Sequence, residues 1–194
     1  MERCGSKTLS KLCRMRASKR LGEKEARVVF RQIAEGVKWI HNHGCCHRDL
    51  KLTNILINSQ GQVKIIDFGF SSPCAENETQ RMYCGTPSYM APEMVLKQAY
   101  NGKLVDIWAL AVVLYKLLTG EYAFGGRDVI SLVNSVAEDD PNLNDKILQL
   151  KIEYPYYISP ACVDLMQKML VLEEGCRLTI NQVRTVQKLL IDLR

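Results

Sequence analysis

The sequence predicts a mainly α-helical fold (α+β) that contains one short β-hairpin. Apolar residues recur at helical spacing between residues 23 and 41, with charged residues between them. A second segment, residues 107–118, is apolar on nearly all sides, which is typical of a helix buried in a core. Two short β-branched runs flank a turn that contains Gly61, and this pattern predicts the hairpin.

The predicted elements follow one another as helix, hairpin, long loop and a series of helices. The first helix spans residues 23–41 and ends at Asn42-His43-Gly44. The hairpin strands are residues 55–57 and 63–66. Residues 71–89 are small or polar without periodicity, which predicts a long loop, and loops of this length are usually functional. The later helices are predicted at residues 107–118, 127–137, 160–170 and 179–190.

Length and composition indicate one globular domain or a large part of one. The chain has 194 residues, of which 47% are hydrophobic and 24% charged. The first 31 residues hold ten Lys or Arg and three Asp or Glu. We interpret this basic start as a solvated helical face and expect no nucleic-acid or membrane partner, because no aromatic residues interleave with the charges. Residues 107–118 are too few to span a bilayer, which needs about 20 apolar residues.

The eight cysteines predict reduced thiols rather than disulfides or a zinc site. They form no CxxC pair and show no standard zinc spacing, and the start of the chain shows no signal peptide. We therefore expect a cytoplasmic protein, with the nucleus as the alternative compartment. A helix end and turn explains the remaining cluster of potential metal ligands better than a metal site does. Its members are His41, His43, Cys45, Cys46 and His47.

Three short motifs occur in order along the chain. They are His47-Arg48-Asp49-Leu50-Lys51-Leu52-Thr53-Asn54, Asp67-Phe68-Gly69 and Ala91-Pro92-Glu93. The first enters the hairpin, the second follows it, and the third closes the long loop. Together they resemble the catalytic loop, the Asp-Phe-Gly motif and the Ala-Pro-Glu motif of the eukaryotic protein kinase family.

The chemistry of phosphoryl transfer explains these residue types. The reaction needs positioning of the reactants and neutralisation of spread negative charge. Asp49 can accept the proton of a substrate hydroxyl, and Lys51 can place a positive charge near the transferred phosphate. Asn54 and Asp67 offer the oxygen ligands that Mg²⁺ prefers. The resemblance assigns the same roles to these four positions.

The resemblance also implies ATP and Mg²⁺ as cofactors and a protein with a Ser or Thr acceptor as substrate. Its catalytic residues are Asp49, Lys51, Asn54 and Thr86, the last of which bonds to the catalytic Asp and Lys in the family. Its cofactor-binding residues are Glu2, Cys4, Lys51, Asn54, Leu56 and Asp67, with Asn54 and Asp67 as the metal ligands. Leu56 is expected under the adenine ring.

Several supporting contacts are implied as well. In the family an Asp at the position of Asp106 anchors the backbone of the catalytic loop, and Glu93 pairs with Arg177. His47 is expected to pack against Phe68 in the core.

The serine/threonine type follows from Lys51 with Asn54 and from Gly85-Thr86-Pro87. The calcium/calmodulin-dependent and AMP-activated-like groups are the candidates within this type. Many relatives carry a phosphorylated Thr two residues before the Cys of this segment, where this chain has Met82. We therefore expect a shifted phosphate site or no phosphate dependence. The candidates for a shifted site are Thr79, Tyr83, Ser71 and Ser72.

Three positions bear on the expected substrate. Thr53 and Lys116 stand where basophilic relatives carry Glu, so we expect no selection for Arg two residues before the acceptor. Phe70 directly follows Asp-Phe-Gly, and in the family a large residue there goes with Ser over Thr.

The resemblance covers residues 1–194 as the C-terminal lobe of a kinase domain, and we expect the N-terminal lobe to be absent. Residues 1–4 resemble a hinge remnant, residues 5–9 the start of the next helix, residues 47–54 the catalytic loop and residues 67–93 the activation segment. Leu56 and Phe68 would then face solvent, and a partner that covers this surface is expected. Two functions stay open: an active kinase of which this chain is a part, and an inactive, pseudokinase-like C-lobe that serves as a binding or scaffold module.

Overall fold

The computed structural model describes residues 6–75, 78–124 and 142–192, and helices dominate these ranges. The α-helices are α1 (Leu9–Arg14), α2 (Glu23–Asn42), α3 (Pro92–Val95), α4 (Gly102–Thr119), α5 (Leu143–Leu148), α6 (Pro160–Met169) and α7 (Ile180–Asp192). The strands are β1 (Ser6–Thr8), β2 (Cys45–Cys46), β3 (Ile55–Asn58), β4 (Val63–Ile65) and β5 (Ser72–Pro73). Short 3₁₀ turns cover Leu52–Asn54, Pro87–Tyr89 and Glu174–Cys176. The prediction of a mainly α fold is confirmed for the described residues.

Helix α4 is the centre of the core. Its side chains are buried on nearly all sides, and it packs against α2 and α6. The side chain of Asn101 caps its start by accepting hydrogen bonds from the backbone N–H groups of Lys103 and Leu104. Gly120 ends it in the left-handed conformation, with φ of 83°. The helix begins five residues before the predicted start, because its first turn, from Gly102 onward, lies outside the continuous apolar run.

Helix α2 packs one face against α4, α7 and β4. Its buried residues include Ala26, Val29, Phe30, Ile33, Val37 and Ile40, the same positions that predict the helix from their spacing. The opposite face is polar apart from exposed residues such as Trp39. The prediction for residues 23–41 is therefore confirmed, with α2 one residue longer at its end.

The predicted hairpin is part of a three-stranded antiparallel sheet in the order β1-β3-β4. Strands β3 and β4 pair Ile55 with Ile65 and Ile57 with Val63. Strand β1 adds to the other edge of β3 and places Thr8 opposite Leu56. The expectation that residues 5–9 begin a helix is wrong for residues 6–8. These residues are extended because their backbone groups pair with the free edge of β3. Thr8 then caps α1, which begins at Leu9.

The predicted loop at residues 71–89 has little regular structure where it is described. Its start forms β5, which pairs with β2 just before the catalytic-loop motif. Gln80 bridges to Tyr100 through two backbone hydrogen bonds of 2.8 and 3.1 Å. The predicted helix at residues 127–137 lies outside the described residues, and α5 has no counterpart in the predictions.

The described residues show neither a membrane span nor a metal cluster of the usual type. None of their helices is both long and apolar enough to cross a bilayer. No group of three or more His, Cys, Asp or Glu side chains in these ranges could hold a metal ion. The seven described cysteines are free thiols, and His41 bonds to Asp106.

Candidate active site

Asp106 on α4 fixes the backbone of the catalytic-loop motif. It is fully buried, and its carboxylate accepts hydrogen bonds from the backbone N–H groups of His47 and Arg48, each at 2.8 Å. The Nε2 atom of His41 on α2 lies 2.9 Å from the same carboxylate. Arg48 has φ of 65°, a left-handed conformation that costs energy for a residue other than Gly. The bonds to Asp106 hold this conformation, so the expected anchoring role of Asp106 is confirmed.

His47 connects the catalytic loop to the segment that carries Asp67. Its Nδ1 accepts the backbone N–H of Asp49 at 3.2 Å, so the ring proton sits on Nε2, which donates to the carbonyl of Ile66 at 3.1 Å. The ring centre lies 5.1 Å from that of Phe68, which confirms the expected contact. His47 is fully buried, whereas Phe68 is half exposed, so only the histidine side of this contact lies in the core.

The carboxylate of Asp49 is the centre of a compact polar cluster. Thr86 Oγ1 donates to Asp49 Oδ1 at 2.8 Å, and Asn54 Nδ2 donates to Asp49 Oδ2 at 3.1 Å. Lys51 Nζ lies 2.8 Å from Asp49 Oδ2 and donates to Thr86 Oγ1 at 2.8 Å. Asp49 is nearly buried, so these charge-assisted bonds are strong and fix its orientation. The structure thus brings together the four residues that the sequence nominates as catalytic.

A backbone hydrogen bond holds the segment that carries Asp67 next to Asn54. The backbone N–H of Ile66 donates to the carbonyl of Asn54 at 2.9 Å, which places Asp67 one residue from that bond. The amide nitrogen of Asn54 donates to Asp49, which leaves the Oδ1 atom available as a metal ligand. Asp67 is exposed, has φ of 64° and accepts a bond from the N–H of Gly69 at 3.4 Å. Both side chains therefore present oxygens of the type that binds Mg²⁺.

Gly85 permits the close approach of the activation segment to the catalytic loop. Its φ is 104°, and a Cβ atom at this position would lie 2.7 Å from the carbonyl oxygen of Arg48. A side chain here would displace the neighbouring Thr86 from Asp49. The sequence indicates Gly85 only as a member of the Gly-Thr-Pro segment. Its position directly before Thr86 is the sequence feature from which this role could have been predicted.

Glu93 and Arg177 form the expected buried ion pair below the site. Two parallel hydrogen bonds of 2.6 Å join the guanidinium to the two carboxylate oxygens. Arg177 also donates to the carbonyls of Val171 at 2.8 Å and Leu104 at 3.3 Å. The pair ties the end of the activation segment to α4 and to the loop that precedes α7.

The remaining predicted cofactor-binding residues are Leu56, Glu2 and Cys4. Leu56 lies in the middle strand of the sheet and is partly buried rather than fully exposed. Glu2 and Cys4 lie outside the described residues.

The comparisons with known proteins agree with this geometry. The family model described as protein kinase domain matches residues 1–187. The chain belongs to the protein kinase domain family. This kinase chain is 40% identical over 164 residues to the serine/threonine-protein kinase kin-29 of Caenorhabditis briggsae, a match that covers 84% of the chain and 19% of that protein.

Two further relatives are similar to the same extent. The kin-29 protein of Caenorhabditis elegans is 39% identical, over 84% of this chain and 19% of its own length. The serine/threonine-protein kinase SIK1 of Mus musculus is 37% identical, over 84% of this chain and 20% of its own length. The chain thus spans about a fifth of the length of the curated relatives that it matches.

Proposed function

We propose that this kinase chain carries the catalytic centre of a serine/threonine protein kinase, which transfers the γ-phosphoryl group of ATP to a Ser or Thr hydroxyl of a protein. One observation carries the proposal. The hydroxyl of Thr86 lies 2.8 Å from both the Asp49 carboxylate and the Lys51 ammonium, so the activation segment and the catalytic loop meet at the reacting centre. The names of the relatives support the serine/threonine type.

Each side chain of the cluster has a role in this reaction. Asp49 orients the substrate hydroxyl and accepts its proton, while Lys51 neutralises charge on the transferred phosphoryl group. Thr86 holds these two opposite charges in place, and Asn54 orients Asp49 from the other side. Little covalent chemistry is required of the protein, so this positioning is its main contribution.

The oxygens of Asn54 and Asp67 fit Mg²⁺, which when bound neutralises charge on the phosphates of ATP. Lys51 and Leu56 would contribute to the ATP site from the catalytic loop and from β3. We keep Glu2 and Cys4 as proposed hinge contacts.

The same proposal assigns the described residues to the C-terminal lobe of a kinase domain. Residues 1–4 are then the hinge remnant, residues 47–54 the catalytic loop and residues 67–93 the activation segment. The half-exposed ring of Phe68 supports a partner that covers the surface beside it. Free thiols in the described ranges fit a cytoplasmic or nuclear compartment. A scaffold module without transferase activity has no need of the assembled cluster around Asp49, so the kinase interpretation is the stronger one.

The test is the substitution Asp49→Asn in the full-length protein that contains this chain. We expect the phosphorylation rate of a Ser/Thr peptide mixture to fall by roughly 10²–10⁴-fold, because the proton acceptor is lost. Thermal unfolding should show that the variant is folded. Asp164→Asn is the matched control, since Asp164 pairs with Lys168 on the exposed face of α6, away from the cluster. Full activity of Asp49→Asn would disprove the proposal.

A further inference from the structure

A groove with a volume of about 500 Å³ opens beside the Asp49 cluster. Lys51 and Thr86 of the cluster are among its lining residues, together with Leu52, Tyr89 and Tyr122. A volume of this size accommodates a large side chain together with its backbone. Since the groove adjoins the residues proposed to hold the acceptor hydroxyl, it is within reach of a substrate segment bound there.

The aromatic wall of the groove is held in a defined position. The rings of Tyr89 and Tyr122 meet edge to face, with centres 5.6 Å apart at 85°. Tyr89 is buried, and its neighbour Pro87 also lines the groove. The ammonium of Lys116 lies 3.0 Å from the centre of the Tyr122 ring, a cation–π contact made from within α4. Tyr122 is therefore packed between Lys116 and Tyr89.

The charge around the groove disfavours basic side chains. None of the described residues that line it is Asp or Glu, and its one charged lining residue is Lys51. Lys116 adds a second, nearly buried positive charge behind Tyr122. A substrate Arg or Lys placed here would lose water without gaining a carboxylate partner among these lining residues, and it would lie near the positive charge of Lys116.

We infer that this groove receives a large apolar or aromatic side chain of the protein substrate, within about three residues of the acceptor, and that Tyr122 determines this specificity. An extended segment covers about 3.3–3.6 Å per residue, so three residues reach roughly 10 Å from the acceptor. This inference rests on the proposed function, because Lys51, Asn54 and Thr86 of the proposed phosphoryl-transfer cluster also line the groove.

The experiment uses the full-length protein and a peptide library in which each position up to four residues from a Ser acceptor is varied. We expect one position within three residues of the acceptor at which Leu, Met or Phe is phosphorylated with kcat/KM about tenfold above Arg or Lys. Tyr122→Ala should remove most of this preference. Tyr156→Ala is the matched control, because Tyr156 is 98% exposed and does not line the groove.

Lys116→Met provides a second variant that keeps the apolar stem and removes the charge. It should raise kcat/KM for the Arg and Lys peptides while the preference for large apolar residues remains. If Tyr122→Ala does not fold, Lys116→Met still tests whether charge near the groove disfavours basic substrate residues. The peptides are also tested for binding in the absence of ATP, so that selection is measured separately from catalysis.

The outcomes separate this inference from the proposed function. Phosphorylation with no selection at any position, or a preference for Arg or Lys, overturns the inference and leaves the kinase function intact. Apolar-selective binding without phosphorylation supports the inference and overturns the proposed function. An unchanged preference in Tyr122→Ala would show that another part of the chain selects the substrate.

Discussion

Two buried arginines of this chain differ in the charge of the groups that accept their hydrogen bonds. Arg177 is 4% exposed and meets the two oxygens of Glu93 at 2.6 Å each. Arg48 is 8% exposed, and within the described ranges no carboxylate pairs with it. Its acceptors are the carbonyl of Phe70 at 2.6 Å, the amide oxygen of Gln80 at 3.4 Å, the hydroxyl of Tyr100 at 3.4 Å and the sulfur of Met82 at 3.8 Å.

The two arginines differ both in the charge of their partners and in the length of their contacts. The pair of Arg177 and Glu93 joins the helical base to the end of the activation segment with two charge-assisted bonds. Arg48 reaches the beginning and the middle of the same segment, and three of its four contacts are long. Burial raises the pKa of Tyr100, so its hydroxyl keeps its proton at neutral pH and donates to the carbonyl of Met82 while Arg48 donates to it. The described acceptors of Arg48 are thus all neutral groups.

The largest effect is expected from Arg177→Ala. Removing one partner leaves Glu93 buried and uncompensated, so the free energy of unfolding should fall by roughly 3–5 kcal/mol. Denaturant unfolding of the full-length protein measures this change. The control is Arg184→Ala, which removes an ion pair to the half-exposed Glu35 and should cost about 0–1 kcal/mol. Equal losses in the two variants would show that burial of the Glu93 pair adds nothing.

Arg48→Met should have an intermediate effect. It leaves neutral acceptors without a donor, which costs about 1–3 kcal/mol, but it leaves no buried charge behind. Cleavage by a protease within residues 70–82 should become faster, because Arg48 connects Phe70, Gln80 and Met82. A loss of stability as large as that of Arg177→Ala would contradict the distinction between the two arginines.

Met82→Glu should produce a smaller, opposite change. The side chain of Met82 is 61% exposed, and its sulfur lies 3.8 Å from Arg48 Nη2, so a carboxylate there can reach the guanidinium. We expect a gain of about 0.5–1 kcal/mol relative to Met82→Gln, the neutral control of the same shape. The gain should shrink in 1 M salt, as for any partly exposed pair. Identical melting temperatures for the two variants would indicate that Arg48 cannot use an added charge.

The smallest effect is expected from phosphatase treatment of the active full-length protein. Because Arg48 already has neutral acceptors, activity towards a peptide substrate should stay within about twofold of the untreated value. Mass spectrometry identifies any phosphate on Thr79, Tyr83, Ser71 or Ser72 before and after treatment. Loss of activity together with a phosphate on Thr79 or Tyr83 would instead support a shifted site. Occupancy at Ser71 or Ser72 alone would contradict the shifted-site alternative.

The sequence alone identified the elements whose signals are local. The spacing of apolar residues predicts α2, the continuous apolar run predicts most of α4, and the β-branched runs predict β3 and β4. The motifs nominate Asp49, Lys51, Asn54 and Thr86, and the structure assembles all four. These predictions succeed because each depends on residues close in sequence or on a motif with a defined order.

The tertiary structure decided what depends on distant partners. Strand β1 forms because β3 offers a free edge 48 or more residues later, between Thr8 and Leu56. The acceptors of Arg48 come from 22 to 52 residues away, so no local pattern shows that they are neutral. The groove likewise depends on Tyr122 lying between Lys116 and Tyr89, which only the packing of α4 against the activation segment brings about. Side-chain chemistry can be recognised along a chain, but contacts between remote segments are set by how the core closes around them.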